Sequence, residues 1–285
     1  KTILKIFRWT VIVVLGVLVL LFLFVETFDR YIASEKGARW YYSDVPNHED
    51  LEIKRTASGL RYLSLGAPTK QALILIHGAP GSIMDFKGFA RSEVLQEKYR
   101  LIIVERPGYG GTKPSKAEPS IKIQAERIAE ILDEENQPAL LFGHSYGAPI
   151  AVLMGAFKPD KVEAVIAVSG QYDPENEIIF QISYYIKHDI FKYLMPRVAW
   201  SSNVEKLTHP DAQRAIIPLY SKVSVPVVLI HGDADTLVPY ENSTFVKQYL
   251  PNARLITLEG KNHPIHMTER NYFIDFLLNW SSSET

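Results

Sequence analysis

Three residue types that can together turn a hydroxyl into a nucleophile occur at separated points of the sequence. Ser145 stands in "LLFGHSYGAPI" (residues 140–150), with Gly143 and Gly147 two positions away on either side. Asp233 and Asp235 fall in "VPVVLIHGDADTLVP", and His263 and His266 close "ARLITLEGKNHPIH". A serine hydroxyl attacks a carbonyl carbon only when a base takes its proton and an acid holds that base in one orientation. Serine, aspartate and histidine, in this chain order, supply the three parts. The residues alone leave two aspartates and two histidines to choose between. The histidine pair could also hold a metal, but no carboxylate motif of metalloprotease type accompanies it. The chain has no Cys, so a thiolate nucleophile and cysteine-ligated metals are excluded.

These residues need elements that bring them together. "QALILIHG", "YRLIIVERPG", "PALLFG", "KVEAVIAVSG" and "VPVVLIHG" are apolar runs that end in loop residues, as strands buried on both faces do. "LEIKR" and "LRYLSL" alternate like half-exposed strands. "SIKIQAERIAEILDEEN" has helical apolar spacing and Ser120 as its cap, and "SYGAPIAVLMGAF" reads as a helix with Pro149 in its first turns. Strands alternating with helices predict a mostly parallel sheet covered on both faces. Ser145 then sits on a tight strand-to-helix turn. Side chains at 143 and 147 would collide with neighbouring backbone, and the serine backbone must be strained. Its Oγ lies at the carboxyl end of a parallel strand, where such sheets bind ligands, and at a helix N-terminus that favours negative charge.

The segments "HGAPG" (77–81), "RPGYGGT" (106–112), "GHSYG", "HGDADTLVP" and "GKNH" occur in the order found in the α/β-hydrolase fold family, which the chain resembles over nearly everything past residue 50. The resemblance implies Ser145 as nucleophile, Asp235 as acid and His263 as base. It prefers Asp235 for its place three residues past the Gly of "HG", ahead of Val238-Pro239, and leaves Asp233 as a turn cap. His263 is preferred because it follows directly on the turn after its strand. The oxyanion of the attacked carbonyl needs fixed N–H donors. The backbone N–H of Tyr146, and of Ala79 in the loop that "HGAPG" resembles, are the expected pair. His77, His144 and His231 are expected to brace loops. Glu105 stands where the family commonly has Asp, a departure expected to affect loop bracing rather than chemistry.

Residues 171–223 break the strand-helix rhythm where the family carries its cap. This stretch holds eight aromatics, and its six Lys/Arg match six Asp/Glu, so it offers no charge trap for an anionic group. An aromatic lid suits an apolar acyl or lipid-like group. The N-terminus differs from the rest: an uncharged apolar run from Trp9 to Val25 follows Lys1, Lys5 and Arg8. It is read as an uncleaved signal anchor, a single transmembrane helix with the large domain on the extracytoplasmic side. The expected layout is an anchor over 1–30, a hydrolase core over 31–170 and 224–285, and the cap between them. Residues 31–50 read as a polar connector. With 285 residues, 47% hydrophobic, and a formal net charge of −1, nothing points to nucleic acid as a partner. No cofactor or metal is expected.

The leading function is hydrolysis of a carboxylic ester, with a lipid or acyl ester as substrate. Two rivals stand beside it. "HGAPG" is close to the "HGGPG" of proline-iminopeptidase-type aminopeptidases, in which case Glu175 or Glu177 would meet the substrate's free amine. A non-catalytic binding protein on the same scaffold normally lacks a triad member, and none is missing here.

Overall fold

The computed structural model describes residues 2–281. Eight strands form one sheet in the order β1-β2-β4-β3-β5-β6-β7-β8. They are β1 Glu52–Arg55, β2 Arg61–Leu65, β3 Gln71–Ile76, β4 Tyr99–Val104, β5 Ala139–His144, β6 Val162–Val168, β7 Val227–Gly232 and β8 Arg254–Leu258. Pairing is antiparallel for β1–β2 and β2–β4 and parallel from β4 to β8.

The reason the central strands are nearly continuous apolar runs is visible in β3. Ile74 and Ile76 pack on one face with the helices Ile121–Asp133 and Gly147–Phe157. Leu73 and Leu75 pack on the other with Phe86, Phe89, Phe142, Phe273 and Leu277. Side chains alternate across a strand, so a strand covered on both sides is apolar through most of its length. The Ser120 hydroxyl accepts from the Ile123 N–H at 3.2 Å and starts the first of those helices.

Two expectations change here. β2 was read as half-exposed, yet all five of its residues are buried. The stretch read as a connector is the cause: it folds into the helix Glu35–Tyr42 and lays Ala38, Tyr42, Val45 and Leu51 against Leu63 and Leu65. The Tyr42 hydroxyl donates to the Ile83 carbonyl at 2.6 Å, which pins this cover to the far side of the sheet.

The N-terminal helix runs unbroken over Thr2–Ala33. Its stretch Lys5–Ala33 has a mean hydropathy of 2.9 in its most apolar part, none of which is buried, so it is long and apolar enough to cross a membrane. Its last turn is fastened to the body. Arg61 donates to the Ala33 and Ile32 carbonyls at 2.5 and 3.2 Å. A guanidinium on the last carbonyls of a helix satisfies groups that otherwise lack partners and meets the negative end of its dipole. Arg61 is itself held by Glu105 through two bonds of 2.5 and 2.6 Å, with no exposure of either side chain. Residues 171–223 carry the helix Arg197–Ile216, and Arg197 reaches back to the N-terminal helix: its N–H donates to Glu26 at 2.9 Å and its guanidinium to Asp29 at 3.1 Å.

Candidate active site

Ser145 follows β5 directly, with φ at +54°, in the left-handed region that a non-glycine residue occupies only under strain. The turn is as tight as the glycine spacing predicts. A Cβ on Gly143 would lie 2.3 Å from the Gly147 carbonyl oxygen, and one on Gly147 would lie 2.3 Å from that of Ile76. The Ser145 N–H donates to Val168 at 2.8 Å, which ties the corner to the next strand.

Asp235 and His263 come from the loops after β7 and β8. His263 Nε2 lies 3.1 Å from Ser145 Oγ, and His263 Nδ1 lies 2.7 Å from Asp235 Oδ2. With Nδ1–H donating to the carboxylate, the Nε2 lone pair faces the serine hydroxyl. Asp235 Oδ1 accepts from the N–H groups of Leu237 and Val238 at 2.9 and 2.8 Å. Burial pushes the Asp235 carboxyl up, but hydrogen bonds from His231, His263 and Val238 outweigh it and hold the group well below the usual carboxylate range.

His231 is a partner that the sequence reading did not assign to this chemistry. Its Nε2 lies 3.2 Å from Asp235 Oδ2 and 3.0 Å from the Val238 carbonyl, while Nδ1 meets the Ser243 hydroxyl at 2.7 Å. A carbonyl can only accept, so Nε2 carries the proton and Nδ1 takes the Ser243 hydrogen. Asp233 stands apart from this group and accepts from the Gly260 N–H at 2.6 Å, a turn brace as expected. His144 stacks on His266 with ring centroids 3.6 Å apart, and burial holds both imidazoles neutral, His266 pushed down to about 3. Among the described residues no group of three or more His, Cys, Asp or Glu could hold a metal ion.

Neither the Ala79 nor the Tyr146 N–H donates to a protein acceptor among the described residues. Ala79 shares a peptide unit with the Gly78 carbonyl, and that carbonyl accepts twice, from His77 Nδ1 at 2.8 Å and from Arg106 Nη2 at 2.7 Å. The carbonyl and N–H of a trans peptide point opposite ways, so fixing one oxygen aims the other group. The "RPGYGGT" motif places Arg106 but does not show its task. Arg106 also donates to the His77 carbonyl at 2.9 Å and pairs with Glu205 at 2.6 Å, both side chains fully buried. Tyr109 and Gln124 complete the Glu205 carboxylate at 2.6 and 2.8 Å.

Ser145 opens into a cavity of about 570 Å³. Its apolar lining includes Ile178, Phe180, Ile186, Met195 and Met267. Of the eight aromatics in residues 171–223, only Phe180 lines it. Tyr172 and Tyr220 are buried against the sheet, whereas Tyr185 and Tyr193 point to solvent. The apolar part of the lining is mostly aliphatic rather than aromatic, a difference from the expectation, and polar cap residues such as Gln171, Asn203 and Lys206 line the cavity beside it. Glu175 pairs with Arg214 at 2.7 Å, and Glu177 pairs with Lys206 and with His209 at 2.7 Å; neither glutamate lines the cavity.

The model of the alpha/beta hydrolase family matches residues 73–275. The chain belongs to the alpha/beta hydrolase family. It is 25% identical to Lipase 1 of Psychrobacter immobilis, over 76% of this chain and 80% of the lipase. It is 23% identical to a pimeloyl-[acyl-carrier protein] methyl ester esterase of Aliivibrio fischeri, over 72% of this chain and 91% of the esterase. Among solved structures, a membrane phospholipase A superposes with a TM-score of 0.62 at 20% identity, covering 97% of this hydrolase and all of that chain. The likeness in fold therefore extends beyond the catalytic body to the N-terminal helix.

Proposed function

We propose that this hydrolase cleaves carboxylic esters through an acyl-enzyme, with Ser145, His263 and Asp235 as its triad. What supports the reading most is the unbroken chain from Ser145 Oγ through His263 to Asp235, at 3.1 and 2.7 Å, on a strained corner. Ser145 Oγ bonds to the carbonyl carbon as His263 takes its proton, and the oxyanion rests on the N–H groups of Ala79 and Tyr146. Collapse expels the alcohol, which leaves with the proton from His263. Water, deprotonated by the same imidazole, then releases the acid and restores the serine.

The mostly aliphatic apolar part of the cavity and the N-terminal helix support a lipid-like substrate class. Residues 171–223 act as a cap whose apolar side chains receive an acyl chain, and the helix anchors the enzyme in the bilayer that holds its lipid-like substrate. Lipase and esterase relatives agree with this. The two carboxylates weighed for the aminopeptidase reading, Glu175 and Glu177, are both engaged elsewhere and do not line the cavity. A fluorophosphonate probe tests the mechanism: it should label wild type and not Ser145→Ala, and absence of label on wild type would return the chain to the non-catalytic scaffold class. Faster turnover of short soluble esters than of long-chain ones would end the lipid part of the reading.

A further inference from the structure

Among the polar groups that line the cavity, His266 and Asp85 take no part in the proposed triad. His266 is 2% exposed, lines the cavity that holds Ser145, and has no hydrogen-bond partner at either ring nitrogen. Buried polar atoms without partners are rare and costly, and in a cavity wall they mark a place for a ligand group or water. Asp85 lines the same cavity. The basic residues nearest to it in sequence, Lys87 and Arg91, are paired with Asp44 instead. Its Oδ2 lies 2.7 Å from where a Cβ on Gly81 would stand, which puts the carboxyl against the "HGAPG" loop. Asp85 and His266 also face a second, smaller cavity of about 220 Å³, shared with Tyr41, Lys87 and Arg270.

Their position says which part of an ester they would meet. On the proposed mechanism the leaving alcohol takes its proton from His263, so the alcohol half lies on the side of that ring. His266 and Met267 belong to the segment that directly follows it, whereas Ile178, Ile186 and Met195 come from residues 171–223. Asp85 and His266 thus lie on the alcohol side, and the cap lines the rest with Ile178, Ile186 and Met195 interspersed with polar residues such as Gln171, Asn203 and Lys206. A neutral imidazole offers one N–H and one lone pair, a carboxyl offers acceptor oxygens, and a hydroxyl both donates and accepts. Two neighbouring hydroxyls would satisfy both residues.

We propose that Asp85 and His266 form a subsite for free hydroxyl groups on the alcohol half of the ester, so that the preferred substrate is a fatty-acid monoester of a polyol. This rests on the ester-hydrolase reading above. The test uses the full chain in detergent micelles, with 1-octanoylglycerol and propyl octanoate as substrates of equal acyl length. Wild type should favour the glyceryl ester in kcat/KM by at least about tenfold, because a site built to bind a hydroxyl rejects the analogue without one. That ratio should collapse toward one in Asp85→Asn and in His266→Phe, the latter keeping a ring stacked on His144. Equal turnover of the two esters by wild type, which needs no variant to fold, would overturn the subsite and leave the esterase intact. Equal losses on both esters in the variants, with fluorophosphonate labelling retained, would overturn it as well. No hydrolysis of either ester and no labelling of wild type would instead overturn the underlying reading.

Discussion

At the scale of single residues, function turns on how neighbours hold protons in place. His263→Ala should lower kcat on an octanoate ester by at least about 10⁴-fold, the loss expected when a triad member goes, with Asp235→Asn somewhat milder. His231→Phe should weaken the reaction without abolishing it, because it removes one of two imidazoles on Asp235 Oδ2 and leaves two backbone N–H donors on Oδ1. Steady-state kinetics on folded protein checks all three. Asp85 gives a pH prediction. Burial pushes its carboxyl up to about 7, with the Ser82 backbone and the Arg106 charge pulling the other way. A raised carboxyl binds its proton more tightly folded than unfolded, so stability falls as pH rises from about 4 to about 7. Asp85→Asn removes that penalty, so its melting temperature should gain on wild type across this window and run parallel above it. A gap that stays constant from pH 4 to 8 would contradict the assignment.

At the scale of elements, what could be read from the sequence and what could not follow one physical division. Continuous apolar runs fix buried strands because both faces of each are covered, and a serine between two glycines at such a strand's end fixes the corner. Both statements are local. β2 was misjudged because the pattern "LRYLSL" records alternation but not what covers the second face. That cover comes from residues 31–50, whose Tyr and Trp look like surface until Tyr42 finds Ile83, 41 residues on. The tie between Arg106 and Glu205 spans 99 residues, and no spacing rule reaches so far. It also joins the cap helix to the loop that aims Ala79. Glu205→Gln leaves Arg106 buried without its counter-charge, and should cost about 3–5 kcal/mol of unfolding free energy. It should lower kcat more than it raises KM, since Arg106 then holds the Gly78 carbonyl less firmly. Denaturant melts and initial rates separate the two effects, and a change in KM alone would mean the pair shapes only the cap.

At the scale of the whole molecule, the C-terminal end of the helix Thr2–Ala33 is fastened to the catalytic body by Arg61 and Arg197. The chain of residues 1–285 should stay with membranes through alkaline carbonate extraction, and a chain starting at residue 31 should not. Protease added to sealed inverted vesicles should spare the catalytic domain if it lies on the extracytoplasmic side, and digestion there would reverse the orientation. The last residues of the helix, past the apolar run that ends at Val25, add a stalk of about 12 Å at 1.5 Å per residue. Arg61 grips the end of that stalk, and Arg197 grips its side at Glu26 and Asp29. Such a mount has no swivel. With the helix in a bilayer, as proposed above, standoff and tilt of the mouth would be set by this mount, and the enzyme would reach only the patch of leaflet beneath it. Turnover in a vesicle should then track the mole fraction of substrate in the surface rather than its bulk concentration, and added protein-free vesicles full of substrate should remain untouched.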